Sequence, residues 1–202
     1  MLILRENIIA MISQNNSIAI FASGNGSNAI KLIECAQSNN KEIACLICDN
    51  PNANILKVKL DIPVHLIPYN HSKTKHEEEI LKVLKQYDVN WIFLAGYMRI
   101  LSANFIQRFT HKNKSQIINI HPSLLPKYQG LNAYERSYQN QDQYSGITIH
   151  YVDAGIDTGE IIIQGKFERT KADSLQDFIQ KGLKLEHTLY PQILMRVFKY
   201  NY

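Results

Sequence analysis

Short apolar runs alternate with segments of helical period along this chain, and no other feature constrains its fold as strongly. Five such runs occupy residues 17–22, 42–48, 64–67, 91–95 and 117–121. Apolar residues in the segments between them recur at helical spacing, as in amphipathic helices. This alternation predicts an α/β fold with a doubly wound, mainly parallel sheet. Two later runs predict an antiparallel strand addition near the C-terminal half, at residues 146–152 and 160–165.

The fifth apolar run ends in two polar side chains that share one face. Asn119 and His121 alternate with Ile118 and Ile120, so a strand would point both polar groups to the same side. Pro122 cannot donate to a strand ladder and ends the run. Open α/β sheets bind ligands outside the carboxyl ends of their strands. The pattern therefore predicts an amide and an imidazole at a ligand-binding edge, with a plain structural pair as the alternative.

A glycine-containing turn, Ser-Gly-Asn-Gly-Ser-Asn at residues 23–28, joins the first strand to a helix. Backbone N–H groups at a helix N-terminus favour a phosphate group. Ser27 and Asn28 would add side-chain donors at that point, so a monophosphate cradle is one interpretation. A plain capped turn is the simplest alternative.

The same turn also fits a dinucleotide-binding pattern. Gly24, Gly26 and Ala29 satisfy G-x-G-x-x-G/A, and Asp49 ends the next strand, where a ribose-binding acid belongs. An isolated pattern of this kind leaves the dinucleotide and monophosphate hypotheses both open.

Composition limits the classes of partner. The 202 residues are 45% hydrophobic with a net charge of +4, and this length and content predict a single domain, at 17–202. Residues 1–16 are amphipathic but weakly patterned, and we interpret them as an N-terminal extension. No cluster of Lys and Arg reaches the density of a nucleic-acid site. No apolar run approaches the ~20 residues that cross a bilayer. We expect small-molecule partners, no nucleic acid and no membrane.

The cysteines indicate a reducing compartment. Three are present, and an odd number without disulfide spacing predicts free thiols and a cytoplasmic location. Cys45 and Cys48 are three positions apart within one predicted strand, so they should point to opposite faces. We therefore predict two core thiols rather than a metal or redox pair.

Four separated stretches together resemble the folate-dependent formyltransferases, and among them the monofunctional glycinamide ribonucleotide formyltransferases. They are residues 23–28, 94–101, 119–126 and 156–159, with Glu186-His187 near the end. The similarity extends over about 17–198. The second and third stretches are shared by formyl-folate enzymes generally, whereas the first is specific to the ribonucleotide branch and favours the phosphate cradle. The resemblance implies a Rossmann-like formyltransferase fold.

The resemblance implies formyl transfer from 10-formyltetrahydrofolate to the amine of 5'-phosphoribosylglycinamide, in de novo purine biosynthesis. The implied catalytic residues are Asn119, His121 and Asp157. Those implied to bind the ribonucleotide are Gly26, Ser27, Asn28 and Glu186. Those implied to bind the folate are Lys73, Met98, Arg99, Ile100, Leu101 and Asn119. No metal is expected, because no His/Asp/Glu cluster has ligand spacing.

The expected chemistry divides among the three catalytic candidates. Asn119 and His121 would stabilise the oxyanion that forms when the amine attacks the formyl carbon. Asp157 would pair with His121, raise its pKa, and order a water that takes the amine's proton. His150 and His187 are interpreted as structural.

Four positions depart from the family pattern: Lys73 for arginine, Gln129 for proline, Asn132 for histidine and Thr158 for glycine. We expect them to tune loops rather than remove chemistry. A formyl-folate hydrolase, a methionyl-tRNA formyltransferase and a catalytically silent nucleotide-binding module are the rival hypotheses. A monomer and a homodimer both remain open.

Overall fold

The computed structural model of the protein describes residues 16–199, and the expected extension at 1–16 lies almost wholly outside them. The strands are β1 Ile18–Ala22, β2 Cys45–Cys48, β3 Val64–Leu66, β4 Trp91–Leu94, β5 Thr110–His111, β6 Lys114–Ser115, β7 Ile117–His121, β8 Tyr144–Tyr151 and β9 Ile161–Glu168. The helices are α1 Ser27–Ser38, α2 Lys73–Gln86, α3 Ala103–Arg108, α4 Ala133–Gln139 and α5 Leu175–Lys199, with a 3₁₀ turn at Asn54–Lys57.

Seven strands form one sheet in the order β3-β2-β1-β4-β7-β8-β9, and β5 and β6 form a separate small hairpin. The first five of these strands run parallel, while β8 and β9 are antiparallel additions. The predicted fold class is therefore confirmed. The direction of strand addition reverses between β1 and β4, and this switch point is where α/β sheets bind ligands.

Helices cover both faces of the sheet. On one face, α1 and α5 pack with alternate residues of the strands, and on the other face α2 and α3 do the same. Cys48 belongs to the first core and Cys45 to the second, and both are buried free thiols. The prediction that they point to opposite faces is confirmed, because a strand alternates its side chains at every residue.

Tyr190 of α5 supports the two strands that lead to the site. Its side chain is fully buried, and its hydroxyl lies 2.9 Å from the Leu94 carbonyl oxygen and 3.0 Å from that of Ile118. A buried hydroxyl needs a polar partner, and here the partners are backbone atoms of the last residue of β4 and the second residue of β7. The bond therefore ties α5 to both strands directly below the edge that carries Asn119.

Two further findings concern helices. Within residues 16–199, no helix is both long and apolar enough to cross a membrane.

Glu77 of α2 is the first of three consecutive glutamates. Such a charged run suggests a helix face exposed to solvent, but the side chain of Glu77 is buried. Its carboxylate accepts hydrogen bonds from the backbone N–H and hydroxyl of Ser102, at 2.7 and 2.5 Å. Glu77 thus helps to fix the start of α3.

Candidate active site

Asn119 and His121 lie at the carboxyl end of β7, on the face that the alternation predicts. The ring of His121 is buried and has a neighbour at each nitrogen. Its Nδ1 is 3.2 Å from Oδ2 of Asp157, and its Nε2 is 2.9 Å from the carbonyl oxygen of Tyr128. Both neighbours are acceptors, so the ring can satisfy both of them only when it carries two N–H groups.

Asp157 joins this pair from the loop between β8 and β9. Its Oδ1 lies 3.3 Å from Nδ2 of Asn119, and its Oδ2 also accepts from the backbone N–H of Gly130 at 2.9 Å. The backbone of Asp157 has a φ of 54°, a left-handed conformation that aspartate adopts more readily than most residues. The structure thus brings the three sequence-predicted catalytic candidates into one cluster.

His150 also lies in this cluster, a position that the sequence analysis did not predict. Its Nε2 is 3.2 Å from Nδ2 of Asn119 and 3.6 Å from Oδ1 of Asp157, while its Nδ1 faces the Tyr151 carbonyl at 2.9 Å. The signal that could have found it is strand pairing, since Asn119 is directly opposite His150 in the antiparallel ladder.

Burial has the largest effect on the pKa of His121. Desolvation of the buried ring lowers the pKa of His121 below its ordinary value, and this outweighs the opposing effects of the Asp157 carboxylate and the Tyr128 carbonyl. Asp157 therefore raises this pKa as expected, but the burial of the ring, which was not expected, lowers it by more. The pairing exists, but the sequence does not reveal how completely the ring is removed from water.

Asp157 is held ionised. Burial alone would raise its pKa, but the nearby His150 ring, the hydrogen bond from the Gly130 N–H and the nearby His121 keep the pKa of Asp157 below its usual range. An ionised carboxylate in this position can accept a proton at neutral pH.

The turn after β1 has the geometry of an anion cradle. Gly26 immediately precedes α1 with a φ of 74°, and an added Cβ would lie 2.4 Å from the Ile55 side chain. Only glycine fits both the torsion and the space. Ser27 and Asn28 form the first turn of α1, so their backbone N–H groups lie at the positive end of the helix dipole.

Glu186 of α5 meets this turn through Asn28. Its Oε2 accepts from Nδ2 of Asn28 and its Oε1 from the Tyr134 hydroxyl, both at 2.5 Å. Burial raises the pKa of Glu186, and these two donors oppose the shift. Oδ1 of Asn28 is buried without a hydrogen-bond partner among the described residues, and a bound hydroxyl or N–H group would satisfy such an acceptor.

The loop after β4 carries most of the sequence-predicted folate residues and contacts the turn after β1. Ser23 N donates to the Gly96 carbonyl at 3.2 Å. Met98 and Ile100 expose more than half of their side chains, whereas Leu101 is buried in the core. The loop thus presents two apolar side chains to solvent at the switch point, where α/β sheets bind ligands.

The departures from the family pattern occupy different surroundings. Gln129 donates to the Asp157 carbonyl at 3.2 Å, and Thr158 donates to the Asp153 carboxylate at 2.7 Å. Asn132 immediately precedes α4 in a left-handed conformation without capping it through its side chain. Lys73 is the exposed first residue of α2. Gln129 and Thr158 therefore stabilise the Asp157 loop.

Among residues 16–199, no group of three or more His, Cys, Asp or Glu side chains is arranged to hold a metal ion. The cluster instead combines an amide donor, an imidazole and an ionised carboxylate at the carboxyl end of β7, the strand next to the switch point of the sheet. Such groups can stabilise an oxyanion and accept a proton. Fold and site together define an α/β enzyme of the carbonyl group-transfer class.

Comparison with known proteins identifies the family within that class. The chain belongs to the formyl transferase family, whose model matches residues 16–194. It is 35% identical over 189 residues to the phosphoribosylglycinamide formyltransferase of Bacillus subtilis, and this alignment covers 91% of this chain and 95% of that protein. The corresponding protein of Haemophilus influenzae is 36% identical over 183 residues, covering 88% of this chain and 84% of that one.

Solved structures agree with this assignment. The phosphoribosylglycinamide formyltransferase of Bacillus halodurans superposes with a TM-score of 0.82 at 38% identity, covering 90% of this chain and 95% of that one. Glycinamide ribonucleotide transformylase 1 of Geobacillus kaustophilus gives a TM-score of 0.84 at 32% identity, with 92% and 100% covered. The chain is therefore a formyl-transferring enzyme with the fold of these relatives.

Proposed function

We propose that the protein transfers the formyl group of 10-formyltetrahydrofolate to the amine of 5'-phosphoribosylglycinamide, a step of de novo purine biosynthesis. The observation that carries the proposal is the cluster of Asn119, His121 and Asp157 at the sheet edge where the turn after β1 meets the loop after β4. A formyl transfer between two bound substrates needs a binding site for the amine substrate on one side of the reacting groups and a binding site for the formyl donor on the other.

The amine substrate fits the side of the site formed by α1 and α5. A phosphate would bind the backbone N–H groups of Gly26, Ser27 and Asn28 at the helix N-terminus. Glu186 would accept hydrogen bonds from ribose hydroxyls, and Oδ1 of Asn28 supplies a further acceptor. The relatives named above carry this substrate in their names, which supports the same choice here.

The formyl donor fits the loop after β4. The family supports a folate donor, and the exposed side chains of Met98 and Ile100 suit the flat apolar face of a pterin ring. Arg99 bonds to Asp49 and Leu101 is buried in the core, so both attach the loop to the rest of the protein. Lys73 would contribute a mobile cation for the carboxylates of the folate tail, with less directional contact than an arginine would give.

Each residue of the cluster then has its own role in the reaction. The amine nitrogen bonds to the formyl carbon, whose oxygen becomes an oxyanion, and the side-chain amide of Asn119 donates to that oxygen. One such donor contributes about 10²–10³ in rate. When it is protonated at both nitrogens, His121 keeps Nδ1 on Asp157 and donates from Nε2 to the same oxygen in place of the Tyr128 carbonyl. The ionised Asp157 takes the proton of the amine through a water and returns it to the folate nitrogen by the same route. The bond from that nitrogen to carbon breaks as the oxyanion collapses to the carbonyl of the new formyl group.

The test is release of tetrahydrofolate from 10-formyltetrahydrofolate by the purified protein, with and without 5'-phosphoribosylglycinamide. We expect release only when the ribonucleotide is present, and we expect His121→Ala and Asp157→Ala to abolish it. Release without the ribonucleotide would indicate a hydrolase. No release under either condition, in folded protein, would refute the proposed substrates.

The proposal extends to the setting of the enzyme. Three free cysteines suit a reducing compartment, so we place the reaction in the cytoplasm. The substrates are small molecules, and the enzyme acts as a monomer or a homodimer. Sedimentation of the purified protein would distinguish these two states.

A further inference from the structure

We propose that Asp49 is a positioning residue for the formyl-donor loop, an inference that rests on the proposed function. Asp49 is the acid that the dinucleotide pattern would assign to a ribose. In the structure its side chain is buried, and each of its carboxylate oxygens is occupied by a protein donor. Those two donors, Ser23 and Arg99, indicate that this carboxylate acts on the protein itself.

The first carboxylate oxygen acts on the backbone of the loop through Ser23. The hydroxyl of Ser23 donates to Oδ1 of Asp49 at 2.5 Å. Because that hydroxyl has only one hydrogen, its lone pairs are left to accept from the backbone N–H of Met98, at 2.9 Å. Asp49 thereby fixes the direction of both hydrogen bonds, and a buried chain of this kind holds its members in one arrangement.

The second carboxylate oxygen acts on the next residue of the loop. Nε of Arg99 donates to Oδ2 of Asp49 at 2.5 Å, and the guanidinium lies over the Tyr69 ring, 4.5 Å from its centroid. The backbone N–H of Tyr69 in turn bonds to the Asp49 carbonyl at 3.3 Å. Carboxylate and ring together orient the arginine. Asp49 thus controls a backbone amide and a side chain at consecutive positions of the loop.

Both ends of the loop are held by groups that do not involve Asp49. The Tyr97 hydroxyl is 2.8 Å from Nε2 of His76, and Ser102 is bound by Glu77. The turn after β1 also keeps its own bonds, since Ser23 N bonds to Gly96 and Asn50 donates to the Ser23 carbonyl at 3.0 Å. Loss of the Asp49 charge should therefore loosen Met98 and Arg99 while the fold and the phosphate turn persist.

The central variant is Asp49→Asn, which keeps the shape of the side chain. Its remaining oxygen can still accept from Ser23. The new amide nitrogen, however, places N–H groups opposite the Nε–H of Arg99, so two donors face each other and the hydrogen bond is lost. We expect the KM for 10-formyltetrahydrofolate, and the dissociation constant of tetrahydrofolate measured by calorimetry, to rise about tenfold. That is the scale of one hydrogen bond to a charged group, reduced because Arg99 is partly exposed. The kcat and the KM for the ribonucleotide should stay within about twofold.

The matched control is Asp173→Asn. It makes the same chemical change in a carboxylate that pairs with Lys181 at 2.6 Å ahead of α5, outside both substrate turns. We expect it to leave both KM values and the folate dissociation constant unchanged. Ser23→Ala is the second variant, since it keeps the ion pair but removes the acceptor of the Met98 amide. It decides the question by the same measurements if Asp49→Asn does not fold.

Two results would overturn the inference. Unchanged folate affinity in Asp49→Asn would mean that the carboxylate does not position the loop. Equal weakening of both substrates would mean that it supports the site as a whole. Failure of the proposed function is separate, because it would show as absence of formyl transfer in the unaltered protein. Tetrahydrofolate binding would still report on Asp49 in that case.

Discussion

Replacing Asp157 with Asn tests the electrostatic account of the site, because it removes a charge without changing the size of the side chain. Oδ2 of Asp157 is 3.2 Å from the buried ring of His121, and its charge raises the pKa of that ring against the lowering effect of burial. A hydrogen bond to a charged group contributes about 1.5–3 kcal/mol. Removing the charge should weaken the protonated ring by about that amount, so we expect the pKa of His121 to fall further below its ordinary value.

The assay is a pH titration of the His121 ring protons by NMR, with His121→Gln for assignment. The direction follows from the sign of the removed charge: without the carboxylate the protonated ring loses a favourable neighbour, so protonation requires a lower pH. The kcat should fall by about 10²–10⁴, because the same change removes the proton acceptor.

The matched control is Asp153→Asn in the same loop. Asp153 is exposed and its carboxylate accepts from Thr158 and from the backbone of Gly155, without touching His121. We expect it to leave both the titration and kcat close to those of the unaltered protein. A His121 pKa that stays constant or rises in Asp157→Asn would refute the electrostatic argument. Retention of more than about a tenth of kcat would refute the role of Asp157 as proton acceptor.

Three further outcomes are expected. Gly26→Ala should lower the free energy of unfolding, measured in urea, by about 2–4 kcal/mol, because the left-handed backbone is strained by a Cβ and that Cβ overlaps Ile55. Its control is Gly24→Ala, which has open space around the added Cβ and should lower the same free energy by less than about 0.5 kcal/mol. Glu186→Gln should raise the KM for the ribonucleotide about tenfold in initial-rate kinetics, because its amide would face the Asn28 or Tyr134 donor; an unchanged KM would contradict the assignment. Dialysis against EDTA should leave transfer unchanged, since Asn119 and His121 supply the polarising groups, and activity that returned only with an added metal ion would contradict this.

Local pattern predicted much of the fold. The alternation of strand and helix periods depends on neighbouring residues, which is why a doubly wound sheet with an antiparallel addition could be predicted and is what the structure contains. The placement of Asn119 and His121 on one face has the same origin, because a strand alternates its side chains and Pro122 ends it. The glycine turn was also visible, but choosing among its three interpretations required the resemblance to a family.

Contacts between residues far apart in the chain could not be predicted from local pattern. Asp157 reached the catalytic list through family position alone, although it meets Asn119 across 38 residues. His150 was missed, although it meets the same side chain across 31 residues. Asp49 fits a dinucleotide pattern in sequence, and only the packing of Ser23 and Arg99 around it gives it a different role.

The sequence by itself determined which segments become strands and helices and which side chains stand at the end of β7, because those properties depend on neighbours in the chain. The tertiary structure alone decided which distant side chains meet there and how far each is removed from water. The pKa of His121 shows the difference most clearly. Its charged partner could be inferred from the family, but the desolvation that outweighs that partner depends on every segment that surrounds the ring.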